Sequence, residues 1–142
     1  MAFEADDLRY TEWVRSKTVS GVEYFYPYKY RVRTPASGDP HKEYTTLLRL
    51  AEQYLIRAEA RAWQNKLTGV NSAQADVNVI RARAGLPNTL ASTQEELFMV
   101  IAHERRVELF TEGHRWFDLV RAGNADAVLS PVKPDWNATD SR

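Results

Sequence analysis

The stretch Glu104-Arg105-Arg106-Val107-Glu108-Leu109-Phe110-Thr111-Glu112-Gly113-His114-Arg115-Trp116-Phe117-Asp118-Leu119 holds the densest charge in the chain. Its reading decides the fold. Glu104, Glu108 and Glu112 stand four residues apart, so a helix through them stacks three carboxylates on one face. Three like charges in a row repel unless cations sit between them, and Arg81, Arg83 or Arg115 is expected to supply the guanidinium groups. Outward from this stretch, residues 43–123 contain ten acids and ten bases, and nine of those bases are Arg. Lys serves on a solvated helix face, whereas Arg is preferred where a planar fork must hold a carboxylate in a partly dry place. The expectation is a set of interhelical ion pairs that fixes how helices are placed. Such pairs add little net stability, yet loss of one partner costs ~3–5 kcal/mol.

The apolar spacing on either side predicts helices almost throughout 43–123. A first helix from about Tyr44 to Asn65 has Leu47, Ala51, Tyr54, Leu55, Ala58 and Ala62 as its inner stripe. Thr68-Gly69 marks a turn. A second helix is capped by Asn71 or Ser72, buries Ala73, Val77, Ile80 and Ala84, and stops at Gly85, with Leu86 folding back toward Ile80 and Pro87 barring continuation. A third opens at Ser92 or Thr93, where Thr93 and Glu96 fit a capping box, and runs to about Thr111. Gly113 ends or bends it, and a short fourth helix takes Arg115 to Ala122 before Gly123. Two helix–turn–helix pairs suggest a tetratricopeptide-like architecture, although the consensus of that repeat is not met.

Residues 8–33 read as an extended or β segment. Tyr24, Tyr26, Tyr28 and Tyr30 recur at period two, and Gly21 suits a turn from an earlier strand near Trp13–Val19. Pro27 cannot donate to a ladder, which makes an edge strand or a bulged pair the expectation rather than a central strand. Thr34 to Pro40 is a loop, and 124–142 reads as a loop or tail with Trp136 as its one large anchor. The fold class is therefore mainly α, with tetratricopeptide-like helix–turn–helix pairs and a short N-terminal β-hairpin or extended segment. Residues 1–142 form a single domain or a fragment of one.

A chain of 142 residues buries roughly 68–70% of its unfolded surface, enough for a core without metal or disulfide staples. Lys and Arg total 19 and Asp and Glu total 19, a balance that removes the electrostatic footprint of a nucleic-acid binder. No Cys is present, which excludes a disulfide, a thiolate metal site and a Cys nucleophile within this chain. No run approaches 18 uncharged apolar residues, and the acidic start lacks the apolar core of a signal peptide. His41, His103 and His114 are too scattered for a metal triad, and neither a Gly-x-Ser-x-Gly elbow nor a phosphate-binding loop occurs. No catalytic residue, metal or cofactor is expected. Two competing readings stay open: a free-standing helical-repeat scaffold for protein partners, and a carboxylate-dependent glycosidase using paired Glu side chains such as Glu104 and Glu108 as acid and base. Trp13, Tyr24, Tyr26, Tyr28 and Trp116 could stack on sugar rings, although a tyrosine row on a strand is more often one wall of a core or a subdomain contact.

Four motifs carry a further reading. Arg49-Leu50-Ala51-Glu52-Gln53-Tyr54-Leu55-Ile56-Arg57-Ala58-Glu59-Ala60, Val77-Asn78-Val79-Ile80-Arg81-Ala82-Arg83-Ala84-Gly85-Leu86, Glu104-Arg105-Arg106-Val107-Glu108-Leu109 and Glu112-Gly113-His114-Arg115-Trp116-Phe117-Asp118-Leu119-Val120-Arg121 resemble, in order and spacing, the SusD/RagB family. Asp6-Asp7-Leu8-Arg9 and Tyr26-Pro27-Tyr28-Lys29-Tyr30 look like weaker landmarks of the same family. The resemblance implies a mostly helical, non-catalytic protein that binds glycans or other nutrients. It implies lipid anchoring at the surface of the outer membrane and service to a SusC-like TonB-dependent transporter, with no cofactor. It also implies that Glu52, Arg57, Glu59, Arg81, Arg83, Glu104, Arg105, Glu108, Glu112, Arg115 and Asp118 are scaffold ion pairs rather than sugar ligands. Family members are several times longer and begin with a lipoprotein signal and its Cys. The expectation is that this chain is the C-terminal helical part of such a protein, whose missing remainder is a further partner.

Overall fold

A computed structural model describes residues 2–32, 43, 46–137 and 139. The chain divides into two compact units, Met1–Glu108 and Leu109–Arg142. The first holds α1 (Leu8–Trp13), β1 (Val14–Val19), β2 (Val22–Pro27), α2 (Leu50–Trp63), α3 (Ala73–Arg83) and α4 (Gln94–Glu108); the second holds α5 (His114–Arg121) and α6 (Ala125–Leu129). The fold is mainly α with an N-terminal antiparallel hairpin, as expected from the sequence. Among the described residues, no helix is long and apolar enough to cross a membrane.

The core of the first unit is a trio of helices. Ala58 and Ala62 from the end of α2 meet Ala73 and Val77 from the start of α3, with Leu97 and Ile101 of α4. Ala51 and Leu55 from the start of α2 meet Ile80 near the end of α3. α2 therefore runs antiparallel to α3. It is antiparallel to α4 as well, since Gln94 Nε2 donates to Ala62 O at 2.8 Å while Arg105 faces Glu52. The alanines on α2 are what let two helices approach it, because a methyl group holds the axes closer than a branched side chain does.

Local signals stop and start these helices where their chemistry predicts. Ser72 caps α3 by accepting from Ala75 N at 3.1 Å. Thr93 and Glu96 exchange hydrogen bonds as a capping box: Glu96 Oε2 accepts from Thr93 N at 3.0 Å, and Thr93 Oγ accepts from Glu96 N at 3.3 Å. At the end of α3, Leu86 N donates to Arg81 O and Gly85 N to Ala82 O, the paired bonds of a Schellman stop. Asn65 and Gly123 close α2 and α5 by the same pairing.

Several boundaries differ from the sequence reading. Leu8–Trp13 is a short helix and not extended, because Asp7 caps it by accepting from Arg9 N. The first core helix begins at Leu50; Tyr44 lies outside the described residues, and Leu47, expected inside, is 79% exposed. α4 ends at Glu108, short of Thr111, whose φ of 66° breaks the helix. Glu112 is consequently not on the same helix as Glu104 and Glu108. Within the expected tail, residues 125–129 form α6, anchored by Trp136 Nε1 donating to Asp126 Oδ1 at 2.9 Å. His41 and the Thr34–Pro40 loop fall outside the described residues.

The hairpin turns on Ser20 and Gly21, both left-handed with φ of 50° and 79°, as a type I′ turn requires. Its register pairs Lys17 with Tyr24 and Arg15 with Tyr26, so these four share a face with Val19 and Val22. Every residue of β2 is exposed, so Tyr24 and Tyr26 wall no core within the first unit, whereas Tyr28 and Tyr30 beyond the strand are half-buried. The reason is topological: the sheet has only two strands, and no further layer covers it among the described residues.

Gly85 serves two needs at once. Its φ is 76°, and a Cβ there would stand 2.9 Å from Leu8 Cδ1, where Leu8 N donates to Ala84 O at 3.0 Å. Gly85→Ala is expected to cost about 1–3 kcal/mol through left-handed strain and overpacking. Urea unfolding measures it; a midpoint equal to that of the parent contradicts this account.

Candidate functional site

The most constrained cluster lies where α1, α3, α4 and the segment before α2 converge. Glu104 and Glu108 are one turn apart on the inner face of α4, and both are 0% exposed. Burying two carboxylates so close is prohibitive unless each oxygen is matched. Here each is. Arg9 lies between them, its Nη1 donating to Glu104 Oε2 at 2.8 Å and to Glu108 Oε2 at 3.3 Å. Arg81 Nη1 donates to Glu104 Oε1 at 2.8 Å. Glu108 Oε1 takes Arg49 Nη1 at 2.8 Å and Arg83 Nη2 at 2.5 Å.

A second ring of groups aims these cations. Asp7 grips the Arg9 guanidinium side-on, with Nε to Oδ1 at 2.9 Å and Nη2 to Oδ2 at 2.8 Å. Glu4 takes both Nη atoms of Arg81, at 2.6 and 3.0 Å, and Pro87 O accepts from its Nε at 2.9 Å. Glu108 is also the last residue of α4, and its carbonyl accepts from Arg49 Nη2 at 2.7 Å and Lys29 Nζ at 2.5 Å. Cations there offset the negative end of the helix dipole. Lys29 Nζ in turn lies 4.0 Å from the centre of the Trp13 ring, which ties the hairpin to α4.

The titration of these groups follows from the geometry. Burial pushes the Glu108 carboxyl up, but hydrogen bonds from Arg83 and Arg49 outweigh that and hold it below the usual carboxylate range. The bond from Arg81 does the same to Glu4. Burial also works against the charge of Arg9, and Asp7 and Glu104 reverse the effect, leaving its pKa raised.

A separate set of ion pairs joins α2 to α3. Asp76 is buried; it takes Arg57 through Nε at 3.0 Å and Nη2 at 2.7 Å, and Arg61 Nη1 at 2.7 Å. Arg105 reaches Glu52 at 3.9 Å. Glu59 is half-buried on α2. In the second unit Arg115 and Asp118 lie on α5, where Asp118 Oδ1 pairs with Arg121 Nε at 3.1 Å, and Glu112 lies in the turn before it. Glu4, Asp7, Arg9 and Arg49 were absent from the sequence-based set of ion pairs. The Asp7-Leu8-Arg9 and Arg49 motif positions were the available signal, but Arg9 and Glu104 are 95 residues apart and no local period links them.

The aromatic candidates take different places. Tyr24 and Tyr26 are exposed at 56% and 38% on the hairpin, and Trp13 and Tyr28 are half-buried at its base. Tyr28 packs edge-on to Tyr26 at 6.5 Å, with Arg15 and Arg31 at 5.0 and 5.3 Å from its ring centre. Trp116 belongs to the second unit, edge-on to Trp136 at 6.0 Å. Among the described residues no three His, Asp or Glu side chains gather as a metal site.

Residues 7–141 match the SusD family, and the chain belongs to it. A SusD-like protein of Formosa agariphila is 38% identical over 95 residues, which cover 61% of this chain and 18% of that protein. The aligned part thus spans less than a fifth of that relative's length. No solved structure matches the chain.

Stability in acid reads the cluster directly. A carboxyl held low when folded contributes fully above its unfolded value, near pH 4.3, and loses that contribution as pH falls through the folded value. Glu108→Gln is expected to cost about 3–5 kcal/mol at pH 7 by removing the buried carboxylate charge that Arg9, Arg49 and Arg83 surround. It also flattens the fall in stability between about pH 5 and 3. Urea melts across that range check both; an unchanged slope excludes Glu108 as a source of acid sensitivity.

Proposed function

We propose that this chain is part of a non-catalytic protein that binds a glycan or another nutrient at the cell surface. In this reading the full-length protein is lipid-anchored to the outer membrane and delivers its ligand to a SusC-type TonB-dependent transporter. One observation carries the non-catalytic half. All four side-chain oxygens of Glu104 and Glu108 accept from guanidinium groups, and neither residue is exposed. A glycosidase needs one carboxyl to protonate a leaving group and another to reach the sugar or a water. These two reach neither, which favours a load-spreading frame over the glycosidase reading. Membership in the SusD family supports the nutrient-binding half.

The exposed face of the hairpin is the surface suited to sugar stacking. Tyr24 and Tyr26 are exposed on the strand face they share with Lys17 and Arg15, and Trp13 and Tyr28 brace the base. Trp116 offers a ring in the second unit. If one stacked ring contributes on the scale of an aromatic pair, roughly 0.5–1.5 kcal/mol, several rings are needed for useful affinity.

Calorimetric titration of the whole chain with a panel of oligosaccharides tests the proposal. Binding without release of reducing ends is expected, weakened about three- to tenfold by Tyr24→Ala or Tyr26→Ala. Saccharide hydrolysis that disappears in Glu104→Gln would overturn the non-catalytic reading. Co-purification of the full-length protein with a TonB-dependent transporter from outer membranes tests the partner.

A further inference from the structure

At the opposite end of the helix trio from the buried carboxylates, the α2–α3 turn opens a cleft of about 590 Å³. Its size is that of a small-ligand site. Its lining is polar and positively charged: Arg61 and Lys66 are cations, and Asn65, Asn71, Thr68 and Ser92 supply amides and hydroxyls. No carboxylate is among the described residues that line it.

Two features separate this cleft from an ordinary solvated turn. The first is Lys66. Every other base between residues 43 and 123 is an Arg, and Lys66 pairs with no carboxylate among the described residues. With no acid among the described residues engaging its ammonium, Lys66 lends a positive potential to a concavity whose lining has no acids. The second is the fixing of the other cation. Arg61 Nη1 is held on Asp76 at 2.7 Å, and Asp76 is already gripped by both arms of Arg57. The guanidinium is therefore placed before any ligand arrives, so little ordering entropy is lost on binding.

The turn itself is built to hold its shape. Asn65, Gly69 and Asn71 adopt φ of 57°, 87° and 61°. Ser72 Oγ donates to Gly69 O at 2.7 Å, and the backbone closes through Ala73 N to Lys66 O and Gln74 N to Leu67 O. Leu67 packs on the core cluster below, giving the cleft an apolar floor. Donors on the walls and an apolar floor match the edge and the face of a sugar ring.

We infer that this cleft binds an anionic saccharide, a sugar carrying a carboxylate or a sulfate, with Lys66 and Arg61 facing the acid group and Asn65, Asn71, Thr68 and Ser92 facing the hydroxyls. The choice of a saccharide over another anion rests on the nutrient-binding reading above. The site itself rests on the lining.

The test uses the whole chain and four probes: an oligouronate, a sulfated oligosaccharide, a neutral oligosaccharide of the same length and inorganic sulfate. Lys66 is exposed, so Lys66→Gln should leave the thermal midpoint unchanged and serves as the variant. At least one of the two charged saccharides is expected to bind, and Lys66→Gln is expected to weaken it about tenfold or more, the scale of one charge-assisted hydrogen bond. Arg106→Gln, which removes an exposed cation of α4 outside the cleft lining, should leave that binding unchanged. Which of the two charged probes binds distinguishes carboxylate from sulfate. Charged saccharides that bind equally well to the parent and to Lys66→Gln overturn the inference. Neutral and charged saccharides bound alike, with loss only in Tyr24→Ala, overturn it while leaving the nutrient-binding function standing. Inorganic sulfate that binds in a Lys66-dependent way, with no saccharide binding at all, overturns both the saccharide assignment and the function it rests on.

Discussion

Two buried carboxylates on one turn of α4 set the terms for the first unit. A charged oxygen out of water must find a cation or lose its charge, and Glu104 and Glu108 together present four such oxygens. Arg9, Arg49, Arg81 and Arg83 come from three different stretches of chain to meet them, α1, the segment before α2 and the end of α3. Each guanidinium is rigid and forked, so satisfying it fixes both distance and angle. Helix placement follows from that requirement more than from the alanine-rich apolar core, which alone would tolerate sliding. Arg9 shows the logic most clearly, because one side chain separates two carboxylates that would otherwise repel and is itself oriented by Asp7.

The same constraint anchors the parts that lack a core of their own. A two-stranded hairpin is marginal by itself. Here Lys29 joins it to the carbonyl end of α4 while lying over Trp13, and Tyr28 N donates to Trp13 O at 2.7 Å. The hairpin can therefore leave both faces to solvent and still be held. At the far end, the α2–α3 turn is fixed by left-handed asparagines and by the Asp76 ion pairs. A helix of 14 residues spans roughly 21 Å, so α2 holds these two exposed surfaces apart.

Much of this was legible in the residues. The Schellman stop at Gly85, the Thr93–Glu96 box and the turn at Gly21 depend on neighbours within a few positions and were read in place, while the cap of α3 was narrowed to Asn71 or Ser72 and is Ser72. The preference for Arg over Lys also pointed to charges withdrawn from water. The misses have physical causes as well. Thr111 is an acceptable helix residue by propensity, yet it takes a left-handed conformation that ends α4 early. The alternation of tyrosines is a true strand period, but a period identifies a face without identifying what covers it.

The amino-acid sequence alone determined the helical class, the punctuation of the helices and the family, because these depend on short-range spacing, propensity and motif order. Only the tertiary structure decided which arginine meets which glutamate, that an N-terminal arginine enters the cluster, and that the tyrosine face stays open. Ion pairing across 95 residues leaves no period in a sequence: a guanidinium reads the same whether its carboxylate is one turn away or on another helix. The assignment is made by packing, which brings one donor within reach of an oxygen and leaves the others in water.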